Sequence, residues 1–460
     1  MNKYLIMAVV MATPVLVWSD DWPQFLGIQR NGNSAETGLA DSWPESGPPR
    51  VWDREIGTGY SAPSVIGDKL VLHHRIGDEE VILCLDVDTQ EKIWEHKYPS
   101  KFRDPYGYNN GPRCTPILTP DRCYTFGAEG VLSCVDMKDG SSIWQVRTQD
   151  KWKVPEAFFG VGSTPLLDDG RLYVMVGGQP NSGMVAFDAA SGEVLWESVG
   201  RENWDGQKMI GWPGNRDYEW KGYEKIASYS SPVLAQVHGK PVLFGFMRQG
   251  LVAMDPETGK VSLSYWFQAR VQESVNAINP VVLNNQVLLS SCYYRQGSVL
   301  LDLNENIEVA GEVWRGQSLE IHFTTPILHG GHVYAFSGRN PPDASLRCVE
   351  YTTGKLKWER DESVRTSSDA TRKFGRGSAI LADEKIIALG ETGILGLFRP
   401  NIEKVEEISR FKVRGIDYPA WTAPILSDGH LYLRSENTLV KLDVRKSGDS
   451  ETDGQASDGD

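Results

Sequence analysis

Short apolar segments alternate with turn-forming residues along most of the chain, and one such unit recurs. In its clearest copy, the apolar residues MVAF (184–187) are followed by DAASGEVLW (188–196). The acidic side chain can accept hydrogen bonds from turn amides, and the Gly can take the positive φ of a tight hairpin. The Trp then falls on the next strand as a large buried anchor. The related segments are DVDTQEKIW (86–94), DMKDGSSIW (136–144), EYTTGKLKW (350–358) and, with the Trp replaced, DPETGKVSL (255–263).

Proline marks where these units begin. It is tolerated at the first position of a strand, because its missing N–H then costs no ladder hydrogen bond. The first unit continues with apolar segments over residues 61–66, 69–75, 79–87 and 92–98, separated by tight turns. Four antiparallel strands of this kind make one propeller blade, so eight openings predict eight blades. The openings are Pro63, Pro116, Pro165, Pro232, Pro280, Pro326, Ala379 and Pro424.

The last unit predicts how the ring closes. Residues 423–444 supply three strands, and the missing fourth is the Trp-bearing segment 50–56. Pairing these segments would remove the free edges of an open ring. We therefore predict an all-β fold, an eight-bladed β-propeller of four-stranded blades that is closed by the N-terminal strand. The Trp residues expected to pack between its blades are Trp52, Trp94, Trp144, Trp196 and Trp358.

The two ends of the chain and one long interval fall outside the repeat. Residues 1–19 combine a positive start with an apolar stretch, which is typical of a signal peptide cleaved after Ser19; an uncleaved anchor is the alternative. We expect export to the periplasm or the extracellular space, with no membrane span in the mature chain. Residues 20–446 are predicted to form one domain with an aromatic-rich insertion at 200–225, and residues 447–460 a disordered acidic tail.

The net charge argues against some classes of partner, and the positions of the cysteines indicate the state of their thiols. The formal net charge of −14 argues against nucleic acid or an anionic membrane surface. Cys84, Cys134 and Cys348 share one position of the repeat, two residues before the acidic turn residue. This repeated use indicates a small core residue, so we expect mostly free, buried thiols. A Cys123–Cys134 disulfide between neighbouring strands is the alternative. We expect a monomer.

The repeat resembles the pyrroloquinoline quinone (PQQ)-type β-propeller repeat, with its small-Pro opening, Gly-Asp turn and D-x-x-T-G-x-x-x-W motif. The resemblance covers residues 22–444. The segments DWPQF (21–25), ETGL (36–39) and YGYNNGPR (106–113) are similar to secreted bacterial proteins of this type whose function is unassigned. The resemblance implies the fold but little about activity, because function lies in sites and not in folds.

Two functions occur among the proteins that this repeat resembles. Quinoprotein dehydrogenases bind PQQ with Ca²⁺ through acidic and amide side chains, under a disulfide between adjacent cysteines; this sequence has no adjacent Cys-Cys pair. A propeller-shaped lipoprotein takes part in outer-membrane assembly, and the signal region here lacks the lipid-accepting Cys. The resemblance therefore supplies no firm cofactor, and PQQ with calcium stays an open alternative.

Polar and aromatic residues precede the strand openings. The residue three positions before each opening should lie at the mouth of the central channel, since all openings meet there. Asn276 and His322 stand one residue earlier, and Glu391 follows an apolar strand end on the same face. Such a set suits an anionic or sugar-like ligand; the alternative is that it plugs the channel and binds loop backbones. The candidate ligand-binding residues are Tyr60, Arg113, Tyr229, Asn276, His322, Phe323, Arg376, Glu391 and Trp421.

Familiar catalytic and metal motifs do not occur in the sequence. It contains no G-x-S-x-G, phosphate-binding loop, H-E-x-x-H or C-x-x-C pair. His332 and His430 share their repeat position with Lys and Arg, which indicates a solvated strand start rather than a metal site. His73 and His74 are neighbours, so they should face opposite sides of a strand.

These patterns favour an exported scaffold, not an enzyme, that binds a small molecule, a glycan, or an envelope or secreted protein. A quinoprotein-like oxidoreductase with a degenerate cofactor site is the alternative. A third possibility is a structural module that docks envelope proteins through its blade edges. Titration with PQQ and Ca²⁺ would distinguish an oxidoreductase from the other two.

Overall fold

The computed structural model describes residues 21–155, 159–204, 225–269 and 274–446. These residues form eight sheets of four antiparallel strands each, arranged as the blades of a propeller. The predicted all-β, eight-bladed fold is therefore confirmed. The predicted signal peptide, most of the insertion and the acidic tail lie outside the described residues.

The first described strand, β1 (Arg50–Glu55), belongs to the last blade, and the other strands follow in chain order. Blade 1 contains β2 (Ser64–Ile66), β3 (Lys69–Ile76), β4 (Glu79–Asp86) and β5 (Lys92–Pro99). Blade 2 contains β6 (Ile117–Leu118), β7 (Arg122–Phe126), β8 (Val131–Asp136) and β9 (Ser142–Arg147). Blade 3 contains β10 (Leu166–Asp168), β11 (Arg171–Val174), β12 (Met184–Asp188) and β13 (Val194–Ser198). Blade 4 contains β14 (Val233–Val237), β15 (Lys240–Phe246), β16 (Gly250–Met254) and β17 (Val261–Trp266).

The second half of the ring repeats this order. Blade 5 contains β18 (Val281–Leu283), β19 (Gln286–Ser291), β20 (Gly297–Leu303) and β21 (Val309–Gly316). Blade 6 contains β22 (Ile327–His329), β23 (His332–Ser337), β24 (Ser345–Glu350) and β25 (Leu356–Asp361). Blade 7 contains β26 (Gly377–Ala382), β27 (Lys385–Gly390), β28 (Ile394–Arg399) and β29 (Glu406–Lys412), and blade 8 contains β30 (Ile425–Ser427), β31 (His430–Arg434) and β32 (Thr438–Asp443). Helical turns are short: α1 (Thr148–Lys151) and the 3₁₀ turns Arg201–Trp204, Tyr293–Arg295, Pro341–Asp343 and Asp369–Thr371.

The N-terminal strand completes blade 8, as the sequence predicts. β1 pairs antiparallel with β32, and Trp52 lies opposite Lys441. At the seven Pro openings the first strand begins on the next residue. Ala379 is the exception, because it is the third residue of β26 and pairs with Ala388. Alanine keeps its N–H, so this strand can begin earlier than a strand opened by Pro.

The repeated Trp residues bond one blade to the next at most junctions of the ring. Trp94 Nε1 donates to Met137 O at 2.9 Å, directly after the acidic turn residue of blade 2. The Gly of that turn, Gly140, has φ +72°, and a Cβ there would lie 2.6 Å from the Trp94 ring. The Gly is therefore required both by the turn and by the indole beneath it. The same hydrogen bond joins Trp52 to Val87, Trp144 to Ala189, Trp196 to Pro256 and Trp358 to Asn401.

The sequence prediction missed one anchor of this kind. Trp314 of blade 5 donates Nε1 to Tyr351 O at 2.7 Å. Where the Trp is replaced by Leu263, the facing turn also lacks its Gly, and Ile307 takes the positive φ of +62°. Leu263 and Ile307 belong to one core cluster. At this junction an aliphatic contact replaces the indole and the Gly together.

Residues 21–48 cross the face on which the acidic turns lie. Trp22 bridges to Val65 of blade 1, and Ser34 N donates to Leu381 O of blade 7 at 2.8 Å. Between them, the Arg30 guanidinium donates to the strand openings of blades 3 and 4, with Nη1 3.0 Å from Pro165 O and Nη2 3.4 Å from Pro232 O. This N-terminal segment therefore ties opposite sides of the ring together and places a cation at the channel lining.

The same segment also fills the junction between blades 7 and 8. The Trp position of blade 7 is Ser409, whose Oγ accepts from Trp43 N at 2.8 Å. The carbonyl that a blade-7 indole would reach, Val444 O, instead accepts from Ala40 N at 2.8 Å. A distant piece of chain thus substitutes for the missing anchor.

All six cysteines are buried and free. Tyr124, not Cys123, lies opposite Cys134 in the ladder between β7 and β8. Because side chains alternate between the faces of a sheet, Cys123 and Cys134 point to opposite faces. They belong to different core clusters, so this geometry does not allow the alternative disulfide.

We expect Trp196→Ala to lower the free energy of unfolding by about 3–5 kcal/mol, because it removes a buried indole and its bond to the next blade. The matched control is Leu195→Ala, since Leu195 precedes the anchor but is 48% exposed. This control should change stability by less than about 0.5 kcal/mol. Chemical denaturation of both variants measures the difference, and equal midpoints would contradict the anchor role.

A second pair of variants separates turn strain from the contact with the indole. Gly259 and Gly239 have φ of +70° and +73°, but a Cβ at Gly259 lies 2.5 Å from the Trp196 ring, whereas at Gly239 nothing lies within 4 Å. Gly259→Ala should therefore destabilise the protein by about 1–3 kcal/mol more than Gly239→Ala does. If thermal or chemical unfolding gives the same loss for both, the turn alone requires the glycine.

Candidate functional site

The connections that enter the first strands gather on the face opposite the N-terminal segment. Trp421 lies at their centre, with ring centroids 5.1 Å from Tyr60, 5.5 Å from Tyr108 and 6.0 Å from Tyr418. Phe323 approaches from blade 6, at 6.2 Å. We name this cluster the mouth site; it comprises Tyr60, Tyr106, Tyr108, Arg113, His322, Phe323, Arg376, Glu391, Tyr418 and Trp421.

An ion pair supports the central Trp. Arg376 Nη2 lies 2.6 Å from Glu391 Oε2, and the two side chains are 11% and 1% exposed. Trp421 Nε1 donates to the same oxygen at 2.7 Å, and the guanidinium lies 5.1 Å from the Trp421 ring centroid. Both charges are therefore neutralised inside the protein, and Glu391 acts as a positioning group rather than as a free carboxylate.

His322 extends this hydrogen-bonded network toward blade 5. Its Nδ1 lies 3.0 Å from Arg376 Nη1, and its Nε2 lies 3.2 Å from the Tyr293 hydroxyl. Because the guanidinium can only donate, Nδ1 must accept, and Nε2 then carries the proton. Burial, with the nearby charges of Arg376 and Arg339, lowers the pKa of His322 to about 3. His322 is therefore a neutral hydrogen-bonding group at physiological pH.

Arg113 organises the other side of the mouth site. Its Nη2 lies 2.9 Å from Asp104 Oδ2, and the side chains are 11% and 0% exposed. Its guanidinium also lies 5.8 Å from the Tyr60 ring centroid. The buried Arg75 donates to Phe102 O at 2.9 Å and to the carbonyl of residue 110 at 3.1 Å. Both ends of the loop that carries Tyr106 and Tyr108 are thus held in place.

Two of the predicted site residues, Asn276 and Tyr229, hydrogen-bond to the backbone of the surrounding loops. Asn276 is 2% exposed, and its Nδ2 donates to Met247 O at 2.9 Å and to two other backbone carbonyls. The Tyr229 hydroxyl accepts from Phe159 N at 2.8 Å. Both side chains bind loop backbone, which matches the alternative that the sequence left open for the whole set.

The structure adds three residues that the sequence analysis did not select. Tyr106, Tyr108 and Tyr418 are 56%, 52% and 55% exposed, and no other aromatic side chain of the described residues is as exposed. Two of them lie in the YGYNNGPR segment, and the third precedes Trp421 by three residues. A position count from the strand openings could not find them, because they lie farther out along irregular loops.

Four histidines outside the mouth site form hydrogen bonds with nearby residues. His332 and His430 bond through Nδ1 to the carbonyls of Gly330 and Asp428 in their own turns. His73 contacts Tyr98, whereas His74 accepts from Gly57 N, so the two face opposite sides of β3. Among the described residues, no group of three His, Cys, Asp or Glu side chains is arranged to hold a metal.

The mouth site does not fit the cofactor arrangement that the resemblance implies. PQQ with Ca²⁺ would need free acidic and amide groups beside a pair of adjacent cysteines. The carboxylate of Glu391 is bound by Arg376 and Trp421, and the amide of Asn276 is bound by backbone. The six cysteines are single and buried.

Comparison with known proteins identifies the family. The model of the PQQ_2 family, described as outer membrane protein assembly factor BamB, matches residues 78–359. This is more than half of the chain, which therefore belongs to this family of PQQ-repeat β-propellers. No curated protein matches the chain.

Solved structures show the same architecture at low sequence identity. BamB from Moraxella catarrhalis is 14% identical with a TM-score of 0.54, covering 85% of this chain and 96% of that one. Quinohemoprotein alcohol dehydrogenase from Comamonas testosteroni is 12% identical with a TM-score of 0.61, covering 96% and 83%. At these identities the similarity concerns the fold alone. In the described part of this chain, no helix is long and apolar enough to cross a membrane.

The network predicts a dependence of stability on pH. The folded protein keeps His322 neutral down to a pKa of about 3, whereas an ordinary histidine protonates near 6.5. The unfolded state therefore binds the extra proton between these values, and stability falls as the pH drops from 6.5 toward 3. We expect His322→Gln to reduce this slope by about 1 kcal/mol per pH unit between pH 6 and 4.

Urea denaturation at several pH values measures this slope. Phe323→Leu is the control, because it alters a neighbouring ring without a titrating group and should shift stability equally at each pH. An unchanged slope in His322→Gln would show that His322 does not contribute to the acid sensitivity.

Proposed function

We propose that the protein is an exported binding scaffold whose ligand or partner contacts the mouth site. The observation that carries this proposal is the position of the exposed aromatic rings. Tyr106, Tyr108 and Tyr418 are each more than half exposed, and all three lie around Phe159 and Trp421. Clustered exposed aromatic rings are typical of binding surfaces, because tyrosine offers a large contact area with little side-chain freedom to lose.

The family supports a role in the cell envelope. Its description names an outer membrane protein assembly factor, and residues 1–19 have the pattern of a signal peptide. Both observations favour a protein that acts outside the cytoplasm by binding, and we take it to work as a monomer. A scaffold of this kind needs a rigid frame and an exposed contact surface rather than a reactive group.

The alternative function, a quinoprotein-like oxidoreductase, has less support. The chain shares 12% sequence identity with a quinohemoprotein alcohol dehydrogenase, and this similarity concerns the fold alone. The carboxylate of Glu391 in the mouth site and the amide of Asn276 beside it are already bound within the protein. Saturable binding of PQQ with Ca²⁺, lost on replacement of Glu391, would favour the oxidoreductase.

Photo-cross-linking in the native host tests the proposed site. A photoreactive phenylalanine analogue at position 108 should form discrete adducts with a ligand or partner. The matched control is position 28, because Tyr108 and Ile28 are 52% and 51% exposed and lie on opposite faces. Adducts at both positions alike, or at neither, would contradict a binding role of the mouth site.

A further inference from the structure

Four aromatic rings of the mouth site and the adjacent ring of Phe159 form a continuous row. The Tyr106 and Tyr108 centroids lie 5.2 and 5.9 Å from that of Phe159. From Tyr108 the row continues to Trp421 at 5.5 Å and from there to Tyr418 at 6.0 Å. Because the exposed members lie in the middle and at both ends, one extended ligand can contact several rings at once.

The groups that support this row are electrically balanced. The two guanidinium groups of the mouth site are each paired with a carboxylate, Arg113 with Asp104 and Arg376 with Glu391. An anionic ligand would therefore have to compete with a carboxylate that is already in place. A cationic ligand is also disfavoured, since the Arg376 guanidinium already lies against Trp421 and Phe323. The site consequently suits an uncharged ligand.

The hydrogen-bonding groups distinguish between uncharged ligands. Proline-rich peptides also bind aromatic grooves, but they present carbonyl acceptors and need donors from the protein. The indole N–H of Trp421 is already bound to Glu391, so it cannot donate to a peptide carbonyl. The phenol hydroxyls of the exposed Tyr108 and Tyr418 remain, and a phenol both donates and accepts. A ligand hydroxyl can use both the donor and the acceptor of a phenol, whereas a peptide carbonyl uses only the donor.

We propose that the mouth site binds a neutral oligosaccharide. Its sugar rings stack their C–H faces on Tyr106, Tyr108 and Tyr418, and its hydroxyl groups bond to the phenol oxygens. Arg75 holds both ends of the loop that carries Tyr106 and Tyr108. These rings are therefore presented in a fixed arrangement, and little conformational freedom is lost on binding. This inference rests on the proposed function, because it names the ligand class of the same site.

Calorimetric titration of the purified protein tests the ligand class. The neutral probes are cellohexaose, maltohexaose and chitohexaose, with an acidic oligogalacturonate and a decaproline peptide for comparison. We expect saturable binding of at least one neutral probe and a preference for it over the acidic one. The double variant Tyr108→Ala with Tyr418→Ala should weaken this binding tenfold or more, because it removes two stacking surfaces.

Two controls separate stacking from folding. Tyr108→Phe keeps the ring but removes one hydroxyl contact, so it should weaken binding by about fivefold at most, and Ile28→Ala, on the opposite face, should leave binding unchanged. Unfolding midpoints equal to that of the parent protein show that the double variant is folded, as expected for exposed side chains.

Three results would overturn the oligosaccharide proposal. These are the absence of binding by every neutral probe, a preference for the acidic probe, and binding of decaproline that the double variant loses. If cross-linking at position 108 still captures a discrete partner, the proposed scaffold function stands and the ligand class is wrong. If both experiments fail, the mouth site is not the binding surface.

Discussion

The structure depends on the contact between the indole of one blade and the turn of the next. Sheets packed face to face can slide, because apolar contacts have little direction. The bond from Trp94 Nε1 to Met137 O, with Gly140 lying on the ring, gives each junction a fixed position. Where the indole is missing, Leu263 with Ile307 or Ala40 with Val444 supplies a substitute, so the ring closes without a gap.

This frame gives the two faces of the propeller different roles. Residues 21–48 lie across one face and bond to blades on opposite sides of the ring, which stabilises its closure and brings Arg30 to the channel lining. The other face carries the mouth site on connections that enter the first strands. Access to the mouth site is therefore from one side, and its loops are held from beneath by buried groups such as Arg75.

The charged residues of the mouth site illustrate how burial changes the role of a side chain. In the sequence, Arg113 and Arg376 suit the binding of an anion. In the structure, each is paired with a carboxylate and lies against an aromatic ring. Their contribution is to orient Tyr60, Trp421 and the loop of Tyr108. The exposed rings of the mouth site are therefore those of Tyr106, Tyr108 and Tyr418, which a count of charged residues would not indicate.

The sequence by itself determined the repeat, the number of blades and the closure by β1. Those features depend on local rules: Asp188 binds its own turn, Gly192 takes a positive φ, and strands alternate with period two. The positions counted from the strand openings also placed Tyr60, Phe323 and Trp421 at the mouth, but only the tertiary structure decided which side chains pair there. Arg376 finds Glu391 within its own blade, but Trp421 meets Tyr108 and Phe323 across the ring. Such contacts join residues from separate blades and depend on the shapes of irregular loops, for which local periodicity carries no information.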